Sequence, residues 1–471
     1  MADDFLKNAN QITEWISDYL NNSDRYPVLS RVKPGEIRKK LPAVPPQKGE
    51  SFDSIMHDFQ EIILPGVTHW NHPAFFAYFA ITGSAPGVLG EMLSQALNVN
   101  AMLWKTGPAA TELEEVCIDW LRQMIGLPAG LFGMIMDTAS VATMCSLAAA
   151  REKLPLQIRE KGMTGRSDLP ALRIYASEHT HSSIDKAAIV LGFGLEGLRK
   201  IPADSEFRMR PDLLRSAMEE DLKNGIRPVA VVATVGTTST TSIDPVPEIA
   251  KICEEYNVWL HVDAAYAGAA AILPEKQWII KGSERADSFL FNPHKWLFVP
   301  FDCTAFYTRH PEILAQAFSL VPEYLRTGQD SEVHNFMDYG IQLGRRFRAL
   351  KLWMVIRTFG VEGLQAALRK HLHLAQEFAE WIDHSPHFER MAPVPFSLVC
   401  FRAKTSNSLH LNDVNLRLMD AVNATGRAYL SHTKLNGEVV LRLAIGHLKT
   451  EREHIQRTQQ LLEIELTKIL S

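Results

Sequence analysis

Four short apolar runs separated by helical stretches constrain this chain more than any other feature. Leu172 to Ala176, Val229 to Val235, Val258 to Val262 and Phe289 to Phe291 are rich in β-branched or aromatic residues. Between them, Pro211 to Asn224 and Val246 to Tyr256 read as helices. Strands joined through a helix run parallel, so the alternation predicts an α/β architecture with a mostly parallel sheet. Helical patterns precede it. Thr111-Glu-Leu-Glu114 opens an amphipathic helix through Leu121, and Asp137-Thr-Ala-Ser140 leads into another, Val141 to Arg151. The last part changes character: Phe396 to Phe401 and Val439 to Ile445 read as strands, and Thr450-Glu-Arg-Glu453 reads as a capping box before a final helix. At roughly 150 residues per domain, 471 residues make two or three. The expected division is an N-terminal helical segment, 1–84, a large α/β domain, 85–380, and a small α+β domain, 381–471.

Open α/β sheets gather their chemistry at the carboxyl ends of strands. The run Phe289 to Phe291 is stopped there by Asn292-Pro293, then followed by His294, Lys295, Trp296 and a renewed apolar run, Leu297 to Val299. A lysine between a strand end and bulky apolar groups sits in a partly dry place. Dryness disfavours the ammonium ion, which lowers the pKa and makes an uncharged amine available to attack a carbonyl. A surface lysine beside a turn fits the same residues. Asp263 stands just past Val258 to Leu260, near the end of the same strand, and equally fits a loop aspartate capping the next helix.

Asn292-Pro-His-Lys-Trp296 resembles the cofactor-lysine motif of the group II pyridoxal-phosphate decarboxylases, and its flanks are most similar to the aromatic-L-amino-acid decarboxylases. The resemblance runs from about Pro34 to the C-terminal helix. It implies the type I fold of pyridoxal-phosphate (PLP) enzymes, PLP as cofactor, and a homodimer with shared active sites, its N-terminal segment packing across the dimer. The implied reaction is decarboxylation of an aromatic L-amino acid to the arylalkylamine and CO2. The cofactor aldehyde then falls to Lys295 and the pyridine nitrogen to Asp263, within His261-Val-Asp-Ala-Ala-Tyr-Ala-Gly268. His181 is matched to the histidine that stacks on the ring, preferred over His179 for its His-Ser-Ser context. Ala139, Ser140 and Asn292 match phosphate-binding positions, and Thr238 and Asp244 further cofactor contacts. His294 is expected to shape the site or relay a proton. Tyr324 matches the tyrosine that protonates the substrate α-carbon. Relatives with phenylalanine there form an aldehyde by oxidative deamination, which is the alternative reading; a non-catalytic homologue is the third.

The same resemblance assigns Trp70, Tyr78, Phe79, Ile81, Asn100, Met102 and Gly344 to the substrate pocket. Ala80-Ile81 stands where members acting on catechols carry Pro-Thr, and Gly344 where members acting on indoles carry glycine and those acting on imidazoles carry serine. Tryptophan or phenylalanine is therefore expected over DOPA and histidine. Asp137 replaces a glycine just before the phosphate positions, and a carboxylate pointing inward there would weaken the cofactor's hold.

Other classes fit poorly. A net charge of −5 without a long basic run gives no attraction to nucleic acid or anionic membranes. Cys117, Cys145, Cys253, Cys303 and Cys400 lack CxxC spacing, which predicts reduced thiols rather than a disulfide framework or a zinc site. His69 and His72 beside an aromatic run read as core rather than metal ligands, so no metal is expected. Gly192-Phe-Gly-Leu-Glu-Gly197 fits GxGxxG, but Pro202 leaves no room for the helix a dinucleotide needs. No signal peptide or bilayer-spanning stretch is read, so a cytoplasmic protein is expected. The polar loop from Pro322 to Asn335 is long enough to be a lid.

Overall fold

The predicted alternation condenses into a seven-stranded sheet: β1 (Phe132–Met136), β2 (Leu172–Ser177), β3 (Leu198–Ile201), β4 (Arg227–Thr234), β5 (Trp259–Asp263), β6 (Ser288–Phe291) and β7 (Thr304–Thr308). Their order is β1-β7-β6-β5-β4-β2-β3. The computed structural model describes all residues except Met1, Ala80, 321–331 and 405–410. Strands β2 to β6 pair in parallel. β7 lies antiparallel to both β6 and β1, so it alone runs against the rest. The link from β6 to β7 carries a single helical turn, Pro293–Trp296, too little for a crossover, and the chain reverses. Pro228 to Thr234 and all of β5 are buried, as strands covered on both faces must be. Helix Ala139–Glu152 lies on the sheet through small residues. Ala142, Cys145 and Ala149 join its core, and the Ser146 hydroxyl meets that of Ser288 at 2.7 Å.

Three strands of this sheet were not read from the sequence. β1 contains Gly133 and the helix formers Met134 and Met136; β3 has Arg199 and Lys200 adjacent between Leu198 and Ile201, without alternation; β7 mixes threonine with apolar residues. The GxGxxG stretch forms the turn between helix Ser183–Val190 and β3, so the pattern leads into a strand, as Pro202 required. The final helix, Arg452–Leu470, begins one residue later than expected. Glu451 and His454 form its capping box, while the Thr450 hydroxyl is spent on the Pro73 carbonyl at 2.7 Å.

The chain forms two compact units, one of Ile81–Leu372 with Ala392–Leu398, the other of Met1–Ala80, His373–Met391 and Val399–Ser471. The expected N-terminal and C-terminal pieces thus share a unit. The reason is backbone pairing: Tyr429 N–H donates to the Ala74 carbonyl, Phe76 N–H to Tyr429, and Ala444 N–H to Phe76. A four-stranded sheet includes Ser431–Leu435 and Glu438–Ala444, joined by Asn436-Gly437, both at positive φ as a two-residue hairpin turn demands. Among the described residues, no helix is long and apolar enough to cross a membrane.

β1 is a sheet edge, and its outward backbone groups are met by a buried ion pair. Glu114 Oε1 accepts from Ile135 N–H at 2.8 Å and from Arg345 Nη2 at 2.6 Å, while the same Nη2 donates to the Ile135 carbonyl at 2.7 Å. Glu114→Leu would strand both the guanidinium and the Ile135 N–H. We expect a loss of about 3–5 kcal/mol in chemical denaturation, against under about 1 kcal/mol for an exposed pair such as Arg417–Asp413.

Candidate active site

Parallel pairing of β5 with β6 brings two sequence-distant groups to one edge of the sheet. Asp263 is the last residue of β5, in register with Leu290 of β6 and Thr234 of β4. Lys295 follows four residues after β6, in the turn Pro293–Trp296. That turn is held at both ends. Asn292 N–H donates to the Ala265 carbonyl at 3.0 Å, and Asn292 Oδ1 accepts from Thr304 Oγ1 at 2.8 Å. At the other end, the fully buried Trp296 stacks on Tyr266 with centroids 4.7 Å apart, its indole N–H reaching His371 Nδ1 at 3.0 Å.

Burial pushes the Lys295 amine below its ordinary pKa, and the Asp263 carboxylate opposes the shift. Burial also lowers His181, with Asp263 again opposing and Lys295 adding to the fall. The three predicted groups therefore lie within one another's fields. His181 Nδ1 accepts the Ser183 backbone N–H at 3.1 Å, which leaves the proton of the neutral ring on Nε2. Asp263 is almost fully buried, one oxygen accepting from Ala265 N–H at 3.0 Å. His294, beside the lysine, is pushed down to about 3 by burial and by the Lys295 charge. Its Nδ1 accepts from Cys303 N–H at 2.9 Å, so it stays neutral and shapes the turn. His179 lies edge-on against Phe207.

Thr138 caps helix Ala139–Glu152, and helix geometry leaves the N–H groups of Ala139 and Ser140 without intrahelical acceptors, the arrangement that suits a phosphate. Thr238 is exposed on a turn that begins at Gly236. There φ is 86° and a Cβ would come within 2.6 Å of Ala267, so only glycine fits. Asp244 is buried, its two oxygens accepting from the N–H groups of Met209 and Thr234 at 2.7 and 2.8 Å, which ties it to the end of β4.

Folding supplies partners to two of the singled-out residues. The Asp137 carboxylate is engaged on both oxygens: Gln342 Nε2 donates to one at 2.5 Å, and Arg348 Nη2 lies 2.6 Å from the other. Asn100 is held in place, Oδ1 accepting from Arg345 N–H at 2.9 Å and one Nδ2 hydrogen meeting the Met102 sulfur at 3.4 Å, which leaves its second N–H for a substrate. Asn100, Met102 and Gly344 do come together, since a Cβ on Gly344 would meet only Asn100 Nδ2, at 3.8 Å. Ile81 belongs to the same unit and is half-buried. Trp70, Tyr78 and Phe79 belong to the other unit, where Trp70 stacks on Phe75 and Tyr78 and where Arg442 lies over the Phe79 ring. Tyr324 lies outside the described residues. Thr304, Ser183 and Arg348 were missed; no motif marks them, because each acts through a partner supplied by folding.

Residues 34–404 match the family described as "Pyridoxal-dependent decarboxylase conserved domain". The chain belongs to that family. It is 41% identical to a tryptophan decarboxylase 2 of Oryza sativa subsp. japonica, over all of this chain and 96% of that one. It is 40% identical to a phenylacetaldehyde synthase of a Rosa hybrid cultivar, over all of this chain and 95% of that one. Among solved structures, Oryza sativa TDC with PLP and tryptamine superposes with a TM-score of 0.95 at 37% identity, covering 100% of this chain and 99% of that one. Catharanthus roseus tryptophan decarboxylase with L-tryptophan gives 0.93 at 40%, with the same coverage.

This pyridoxal-dependent decarboxylase has a donor set that fits its cofactor: an amine whose charge is suppressed, a buried carboxylate in its field, and a helix start with open N–H groups. When bound, pyridoxal phosphate supplies an electron sink for the charge left as CO2 departs. Lys295→Ala is expected to cut turnover by about 10³-fold or more and to abolish the cofactor absorbance that borohydride quenches, with circular dichroism unchanged. A variant retaining a substantial part of wild-type turnover would put the amine elsewhere.

Proposed function

We propose that this enzyme decarboxylates an aromatic L-amino acid, of tryptophan or phenylalanine type, to the arylalkylamine and CO2. The observation that carries the substrate reading is the room at Gly344, where an added Cβ would meet only the Asn100 amide nitrogen, beside the apolar Met102. A flat ring gains about 25 cal/mol for each Å2 buried against such walls. A catechol or imidazole would leave polar groups unpaired there at roughly 1–3 kcal/mol each. The tryptophan decarboxylases among the relatives support the same choice.

In this reading Lys295 contributes an uncharged amine, Asp263 holds a proton on the ring nitrogen, and the neutral His181 covers the ring face. Tyr324 returns a proton to the substrate Cα. Aldehyde formation is the second reading, favoured by the phenylacetaldehyde synthases at nearly the same identity. Tyr324 is the ground for choosing the amine. Side-by-side measurement of kcat/KM should rank L-tryptophan or L-phenylalanine above L-DOPA and L-histidine by about tenfold, without hydrogen peroxide release. Gly344→Ser, which the backbone accepts without a clash, should lower the tryptophan rate most. A wild-type preference for L-DOPA or L-histidine would remove the substrate reading, and peroxide release the amine.

The enzyme is further proposed to act as a homodimer. Leu89, Met92, Leu93 and Leu97 form an exposed apolar stripe on helix Ala85–Leu97, at the spacing that a second copy would cover. Sedimentation should give the mass of two chains, and Leu93→Glu should shift it toward one; a single-chain wild type contradicts the dimer.

A further inference from the structure

Asp137 stands immediately before the phosphate-type helix start, and its carboxylate is engaged by Gln342 and Arg348. It ends a row of alternating charges. Asp137 lies 2.6 Å from Arg348, Arg348 Nε donates to Asp302 at 2.6 Å, Asp302 lies 4.0 Å from Arg346, Arg346 pairs with Glu91, and Glu91 lies 3.1 Å from Lys351. Three acids and three bases sum to zero. At each end of the row one charged atom, Asp137 Oδ1 or Lys351 Nζ, is buried without an aligned hydrogen bond, and Arg348 itself is 6% exposed. The Asp137 carbonyl accepts from Thr304 Oγ1 at 3.3 Å, and the same hydroxyl reaches Asn292, where the lysine's turn begins.

We propose that Asp137 sets how tightly this enzyme retains its cofactor, with Arg348 and Gln342 as the positioning residues that cancel the carboxylate and turn it off the phosphate path. The proposal rests on the phosphate assignment at Ala139 and Ser140. A compensated row is neutral toward an arriving phosphate. Removing the carboxylate leaves one net positive charge beside the helix start, whereas removing the guanidinium leaves two carboxylates sharing what remains. The wild-type chain therefore holds its cofactor less tightly than its other phosphate-facing groups permit, and apoenzyme and holoenzyme exchange more readily.

The test titrates apoenzyme with pyridoxal phosphate, followed by cofactor absorbance, and repeats it with inorganic phosphate as competitor. Asp137→Asn is expected to tighten both ligands by about threefold to tenfold. Arg348→Met should weaken both by at least that factor, and the double variant should return to within about threefold of wild type. Gln342→Leu is expected to fold whether or not Arg348→Met does. It should weaken binding severalfold in the wild-type background and have no effect in Asp137→Asn. Unchanged or weaker binding in Asp137→Asn, or a double variant as weak as Arg348→Met, overturns the proposal. Tightening of pyridoxal phosphate without any change toward inorganic phosphate overturns the phosphate assignment beneath it.

Discussion

The site depends on one pairing, the parallel register of β5 on β6. It is set by the backbone bonds that align His261 with Ser288 and Asp263 with Leu290. Because both strands point the same way, a carboxylate that ends one and a lysine that follows the other emerge at the same edge. Side chains lock the register from within. His261 is fully buried, its Nδ1 meeting the Ser288 hydroxyl at 2.9 Å and its Nε2 that of Thr143 at 3.2 Å; burial holds it down to about 4, so it remains neutral. A one-residue slip would turn Asp263 to the opposite face and break this network.

A second constraint is the number of charges that the large unit buries. Burying an ion is expensive unless a partner and hydrogen bonds accompany it. The chain meets the cost in two ways. Glu114 and Arg345 use their remaining donors and acceptors on the backbone of an edge strand, so the pair finishes the sheet as well as itself. The row from Asp137 to Lys351 shares each charge between neighbours, and burial still pushes Lys351 down to about 8. Both devices anchor residues 342–348 against the strand that leads to the phosphate-type helix start. The segment bearing Gly344 is therefore tied to the cofactor end of the sheet by ion pairs and hydrogen bonds.

Much of the site was legible in advance because its signals are local. Phe289 to Phe291 followed by Asn-Pro is a strand and its stop, and the lysine beyond it inherits a dry place from neighbours in sequence. Helix Ala139–Glu152 announced itself through a hydroxyl cap and small residues. β1 and β7 were not legible, because their strand character comes from pairing with each other and with β6. The final cap was misplaced for a related reason: Thr450 is a good cap by propensity, but a carbonyl from residue 73 claims its hydroxyl.

By itself, then, the sequence determined the α/β alternation, the lysine after a strand stop and, through five contiguous residues, the decarboxylase family. These are properties of neighbouring residues, which periodicity, turn chemistry and motif capture. Only the tertiary structure decided which groups hold Asp137, that the Arg345 N–H claims the Asn100 side-chain oxygen, and that residues 1–80 share a unit with the C-terminal sheet. Each of those outcomes depends on a partner dozens to hundreds of residues away, Arg348, Arg345 and Tyr429 respectively, and the energy of a buried polar contact exists only once folding brings its partner within bonding distance.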